Sequence, residues 1–406
     1  MSRDIHRDLA LGIHRAYEGK VSITPKIPNI TYEDFAYLYT PYVADACRAI
    51  AEEPDEKYNL TSVGNTIAIV TNGTRILGLG NIGPEAGHPV MEGKSLLFKV
   101  LGGVDAYPLS INALSYKDIV AFVKMLKPSV SGINLEDISQ PDAFLAWESL
   151  QDIGIPVFHD DMEGTAIVLM AGLTNASRVV GKPIEQMKVV FVGSGSAGLG
   201  FALLWNDIGL PSKNITFTDR TGVISLDRPD IKDNPVKSQI ARLSSGIGET
   251  LDDAVEGADV IIGASSPGAI KPEHIKKMSD KPIVFAVSNP VPEIYPNEAL
   301  KSGAYITATG RSDFVNQLNN SLVFPSLFRG TLSAKASKIT ANMKKEAVYA
   351  LADGVEKPRP DKIIPRMDEK HVYYHVAIRV AKVAIEDGVS EVEYKEALKD
   401  IATKLR

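Results

Sequence analysis

The stretch KVVFVGSGSAG, Lys188 to Gly198, decides the fold. It opens with the unbroken apolar run Val189-Val190-Phe191-Val192, which a parallel strand buried on both faces requires. Gly193-Ser194-Gly195-Ser196-Ala197-Gly198 follows, a G-x-G-x-x-G, and then Leu199 to Trp205, an apolar segment that reads as a helix. Strand, glycine turn and helix together form the arrangement in which amide groups at a helix N-terminus hold a pyrophosphate. The expected cofactor contacts are Gly193, Gly195, Ser196, Ala197 and Gly198. A second strand, Asn214 to Asp219, ends on an acid where the adenine ribose of a dinucleotide would be held. Asp219 favours NAD, because a carboxylate accepts from a ribose 2′-hydroxyl and repels a 2′-phosphate. The neighbouring Arg220 pulls the other way, so NADP stays possible.

Outward from this turn, apolar runs recur at Val260-Ile261-Ile262, Ile283 to Val287 and Tyr305 to Ala308, separated by helix-like stretches, as a doubly wound sheet demands. Upstream, Val104 to Ile111, Val130 to Leu135 and Ile155 to Phe158 alternate with helical segments at Lys117 to Lys127 and Asp142 to Gln151. Thr66 to Thr71 and Arg75 to Leu79 flank Asn72-Gly73, a hairpin signal. A helix is expected from about Lys94 to Leu101, a long one from Gly164 to Val180, and a helical tail beyond Ser333. The expected class is α/β: an N-terminal α/β domain over 1–160, and over 161–406 a Rossmann-type, doubly wound dinucleotide-binding domain with C-terminal helices.

The chain has 406 residues, is 44% hydrophobic and carries a net charge of -6, which argues against nucleic acid or an anionic membrane as partner. One cysteine, Cys47, excludes an internal disulfide and suits a reducing compartment. The N-terminus lacks the apolar core of a signal peptide, and no apolar run approaches the ~18 residues of a membrane span. A cytoplasmic protein is expected.

Four acids close two strands of the first domain: Glu136, Asp137, Asp160 and Asp161. Ligands of open α/β sheets bind beyond the carboxyl ends of the strands, and clustered carboxylates need a cation between them. Oxygen ligands favour Mg2+ or Mn2+. Adjacent residues on a strand point to opposite faces, so Glu136 and Asp137 can share a metal only if the chain leaves the strand there. From spacing alone, solvated strand ends or helix caps explain the acids equally well. His371 and His375 lie one helical turn apart but have no third ligand nearby and read as structural.

Long segments resemble the malic enzymes of the short form, over Tyr39 to about Ala347: Tyr39-Thr40-Pro41, GLGNIGPEAGHPVMEGK (Gly78 to Lys94), Glu136-Asp137, FHDD (Phe158 to Asp161), the glycine turn, SNPVPEI (Ser288 to Ile294) and TGRSDFVNQLNNSLVFP (Thr309 to Pro325). The resemblance implies oxidative decarboxylation of malate to pyruvate with NAD or NADP and a divalent metal, in a homodimer or higher homo-oligomer. It implies Glu136, Asp137 and Asp161 as metal ligands with Asp160 beside them. Lys94 would be the base at the C2 hydroxyl, Tyr39 the acid that protonates enolpyruvate, and Arg75, Asn289 and Asn320 the groups that orient substrate, with Asn289 also facing the cofactor. A lysine used as a base must be depressed toward neutrality. The chain departs from the family at Met162-Glu163, where an uncharged pair is usual, and at Tyr42, where a small residue is usual. Two alternatives follow: malolactic chemistry yielding lactate, and a nucleotide-binding regulatory protein with a decayed substrate pocket.

Overall fold

The computed structural model describes residues 2–405, with side chains from residue 5. Two sheets carry the architecture. The first has strands β1 (Thr66–Thr71), β2 (Asp105–Ser110), β3 (Ile133–Leu135) and β4 (Val157–His159), all parallel, in the order β2-β1-β3-β4. The second has β5 (Val189–Val192), β6 (Ile215–Asp219), β7 (Gly222–Val223), β8 (Val260–Gly263), β9 (Ile283–Ala286) and β10 (Ile306–Thr309), in the order β10-β9-β8-β5-β6-β7. Only β7 runs antiparallel. The order reverses between β5 and β8, and the glycine turn leaves β5 at that switch point, where doubly wound sheets bind dinucleotides.

The hairpin expected at Asn72-Gly73 does not form. β1 is a central strand with β2 on one side and β3 on the other, so neither edge is free for Arg75 to Leu79. Those residues turn back on themselves instead, Ile76 bridging Gly80. All six residues of β1 are buried, as in a strand covered on both faces. The helix expected from Lys94 begins ten residues earlier and spans Pro84–Gly102. Pro84 stands in its first turn, where the missing N–H costs nothing. Its buried face is Gly87, Met91, Lys94, Ser95, Phe98 and Gly102, a helical spacing that places Lys94 at the middle of an apolar seam.

The Thr165–Val180 helix, buried from Ala166 to Ser177, links the two sheets. The tail folds back over the first lobe: the Phe324–Ser333 helix is wholly buried, with Phe324 4.6 Å from Phe98 and Phe328 5.9 Å from Phe158, ring to ring. Arg329 anchors it, donating to Asn65 (2.6 Å), Ser333 (2.9 Å) and Asp400 (2.9 Å). Helices read from sequence as an appendix of the second domain thus help to wall the first. Among the described residues no helix is long and apolar enough to cross a membrane.

The glycine turn owes its shape to close backbone approach. A Cβ on Gly198 would stand 2.4 Å from the Gly193 carbonyl oxygen, whereas one on Gly195 would meet only the mobile end of Arg75, at 3.2 Å. Gly198→Ala is therefore expected to destabilise the chain by about 1–3 kcal/mol. Gly195→Ala should change stability by less than about 0.5 kcal/mol. Its cost is expected instead as a raised KM for dinucleotide, if Gly195 lines the pyrophosphate as its place in the glycine motif implies. Melting curves and dinucleotide KM values for the two variants separate these effects.

Candidate active site

The carboxyl ends of β1, β3 and β4 converge on one acidic cluster. Glu136, directly after β3, is anchored by its amide to the Val70 carbonyl (3.0 Å). At Asp137 the backbone switches to the left-handed region, φ 52°, so the chain leaves the strand between the two acids. That turn lets both point to the same side, as the sequence required of a shared ligand set. Asp160 and Asp161 begin the tight turn Asp160–Gly164 after β4. Asp161 accepts from the Asp137 amide (2.9 Å), which ties the two strand ends together. One carboxylate oxygen from each of Glu136, Asp137 and Asp161 lies within 4.8 Å of the other two.

Lys94 reaches in from its helix, 7% exposed, and its Nζ hydrogen bonds Glu136 and Asp160. Burial lowers its pKa, but the charges of Asp160, Glu136 and Asp161 outweigh burial and hold the ammonium above the ordinary lysine range. The expectation of a lysine poised near neutrality is not met by these side chains alone. The acids, too, are raised above their usual values. Burial, with mutual repulsion, pushes Glu136 well up, Asp137 to about 7 and Asp160 to about 6. The cluster holds more negative charge than one ammonium offsets. Two of its buried oxygens, Asp137 Oδ2 and Asp160 Oδ1, lack any hydrogen-bond partner. The orphaned acceptor on Asp137, with carboxylate oxygens of Glu136 and Asp161 within 4.8 Å, fits a hard divalent cation such as Mg2+ or Mn2+.

The proposed substrate contacts are brought to the rim. Arg75 donates its amide to the Asp137 carbonyl (3.1 Å), and its guanidinium lies 3.2 Å from where a Cβ on Gly195 would be, so it spans from the acids to the glycine turn. Asn320 lies against the acidic turn, its Cβ 3.4 Å from where a Gly164 Cβ would be. Asn289, three residues after β9, meets Gly78 of the first lobe and Gly310 of the second. Tyr39 is not brought in. Its side chain is 72% exposed and it follows a short helix, Phe35–Leu38, that buries none of its residues. Tyr42 is also exposed, stacked on Tyr37 at 5.2 Å.

Asp219 and Arg220 differ from the sequence picture too. The Asp219 carboxylate is saturated by the Thr221 amide and hydroxyl, by Arg228 through two bonds of 2.9 Å, and by Lys237 at 2.8 Å. Burial raises its pKa, but these donors more than offset it and hold the group far below the usual carboxylate range. Arg220 is exposed. Arg228 and Lys237 escaped the sequence reading because they lie nine and eighteen positions beyond Asp219, with nothing in the spacing to pair them. Asn134 escaped as well. It sits inside β3 in an apolar run, yet donates to Glu136 at 2.8 Å.

Family models match most of the chain: "Malic enzyme, N-terminal domain" over residues 18–116 and "Malic enzyme, NAD binding domain" over 162–385. The bifunctional malic/malolactic enzyme of Bacillus subtilis is 43% identical over 391 residues, covering 95% of both chains. The NAD-dependent malic enzyme of Geobacillus stearothermophilus is 44% identical, over 92% of this chain and 78% of that one. The NADP-dependent malic enzyme of Halomonas elongata is 40% identical, over 96% of each. Among solved structures, the malic enzyme of Entamoeba histolytica superposes with a TM-score of 0.95 at 38% identity, over 100% of this chain and 87% of that one.

Proposed function

The chain belongs to the malic enzyme family, and from that premise we propose that it oxidatively decarboxylates malate to pyruvate and CO2 with reduction of NAD or NADP. The observation that carries this reading is the single cluster of Glu136, Asp137 and Asp161, with Lys94 in contact, set beneath a glycine turn that Arg75 reaches. Glu136, Asp137 and Asp161 would hold Mg2+ or Mn2+. Bound there, the cation supplies Lewis-acid chemistry, stabilising negative charge that develops on substrate oxygens and relieving Lys94 of its duty as counter-charge to the acids. Gly193 to Gly198 would hold the dinucleotide, which would supply the hydride acceptor for C2.

The protein's own groups do the rest. Lys94 takes the proton from the C2 hydroxyl as the hydride leaves, and Asp160, bonded to the lysine, orients it. Arg75 matches a substrate carboxylate with two parallel donors, and Asn289 and Asn320 fix the remaining oxygens from the second lobe. Lys94, Glu136, Asp137 and Asp160 are buried, which limits water on that side of the carbon that carries charge once CO2 departs. Protonation of that carbon is proposed for Tyr39. Because Tyr39 is exposed, the step requires it to be brought to the bound substrate.

Asp219 offers little discrimination between dinucleotides, since Arg228 and Lys237 neutralise the repulsion that a 2′-phosphate would meet. We propose that both cofactors are used. Removing both cations with Arg228→Ala and Lys237→Ala frees Asp219 and should lower the NADP to NAD ratio of kcat/KM by about tenfold or more, roughly the loss of one charge-assisted hydrogen bond.

The malolactic alternative draws support from the bifunctional name of the Bacillus subtilis relative. Product analysis with malate, dinucleotide and Mn2+ decides between them. Pyruvate equal to reduced dinucleotide, with the rate abolished by a chelator and restored by Mn2+, is the expected result. Lactate without net reduced dinucleotide would overturn the oxidative reading.

A further inference from the structure

Glu163 brings a fifth acid to within two residues of the cluster, yet its carboxylate turns away from it. Oε2 accepts from the His159 amide (3.0 Å) and from the Trp147 indole (2.9 Å), while Oε1 pairs with Lys344 at 3.1 Å. The His159 bond closes the turn on itself, since His159 ends β4 and Glu163 lies four residues on, with Asp160 and Asp161 between them. Lys344 comes from the Ala341–Asp353 helix of the tail and also approaches Asp207 at 3.8 Å. On the other side, the Met162 carbonyl oxygen lies 2.0 Å from where a Cβ on Gly200 would be, so the turn is seated directly on the helix that begins at the glycine turn. Both partners are secluded, 6% and 13% exposed at the side chain, beside a cavity of ≈ 10 Å³. A space that small is at the limit for one water, so either charge would be poorly hydrated if the other were removed.

We propose that Glu163 and Lys344 are a positioning pair for the acidic turn. Glu163 fastens its two ends, Lys344 cancels the added negative charge, and together they fix Asp160 and Asp161 where the cation is held. The inference rests on reading Glu136, Asp137 and Asp161 as the cation's ligands. It also accounts for the acid at Glu163, where the family resemblance implies an uncharged residue: the tail supplies its counter-ion.

The test is a titration of the full-length chain with Mn2+, free ion read by electron paramagnetic resonance, without substrate or dinucleotide. Glu163→Gln keeps an oxygen to accept from His159 and Trp147 and so isolates the charge. Lys344→Met removes the other member. Each single variant should bind Mn2+ at least about tenfold more weakly, and the double variant, with no uncompensated charge, should return to within about threefold of wild type. Arg379→Met, which breaks a different ion pair of the tail, serves as the control for general loosening. Should one single variant fail to fold, the double variant and the other single still decide the matter. Single variants that bind like wild type, or a control that weakens binding as much, overturn the inference and leave the cation reading standing. A wild-type chain that binds no Mn2+ sinks both.

Discussion

Lys94→Met is expected to lower kcat by about 10²–10⁴-fold, the range that a positioned general base contributes. It should do so with little change in dinucleotide KM, because Lys94 touches the acids and not the glycine turn. The variant carries a second signature. With a chelator present, Glu136 and Asp160 lose their buried counter-charge, and breaking such a pair costs about 3–5 kcal/mol. Added Mn2+ should recover much of that loss, since a ligand bound only by the folded chain stabilises it by mass action. Melting curves with and without Mn2+, beside the kcat measurement, check both. A variant that turns over within tenfold of wild type would remove Lys94 from the chemistry.

Gly164→Ala is the second large effect. A Cβ there would stand 1.9 Å from Asp160 Oδ1 and 2.9 Å from its Cγ, with the Asn320 Cβ at 3.4 Å on the far side. Asp160 has no room to retreat: it is fully buried, and its other oxygen is bonded to Lys94. The methyl must therefore displace the carboxylate that orients the base, and a shift of about 1 Å in such a group costs about 10²-fold in rate. Gly93→Ala is the matched control. It lies next to Lys94 in mid-helix with nothing within 4 Å of the added carbon, so it should raise stability by up to about 1 kcal/mol and leave kcat near wild type. Steady-state kinetics on the pair distinguish a specific collision from general sensitivity near the site.

Much of this was legible in the sequence because it depends on local pattern. Val189 to Val192 followed by three spaced glycines specifies a strand, a turn and a helix with no help from the rest of the chain. The acids were legible as strand ends, and even the need for a break between Glu136 and Asp137 could be stated beforehand; the left-handed backbone at Asp137 supplies it. What stayed hidden depends on contacts distant in sequence. Asn72-Gly73 reads as a hairpin only until β2 and β3 are known to occupy both edges of β1. The helix expected from about Lys94 starts ten residues earlier, because Pro84 sits where a helix tolerates proline and the buried face begins at Gly87. Asp219 reads as a free ribose acceptor until Arg228 and Lys237 fold onto it. Glu163 reads as a defect in the motif until Lys344, 181 positions on, is found beside it.

The most direct test of the account is a crystal of the full chain soaked in MnCl2 and dinucleotide, with data collected at the manganese absorption edge. The account predicts one strong anomalous peak bounded by carboxylate oxygens of Glu136, Asp137 and Asp161, at about 2.0–2.2 Å from each, with the nicotinamide facing it from the glycine-turn side. A peak coordinated by other residues, in a preparation that still converts malate, would contradict it.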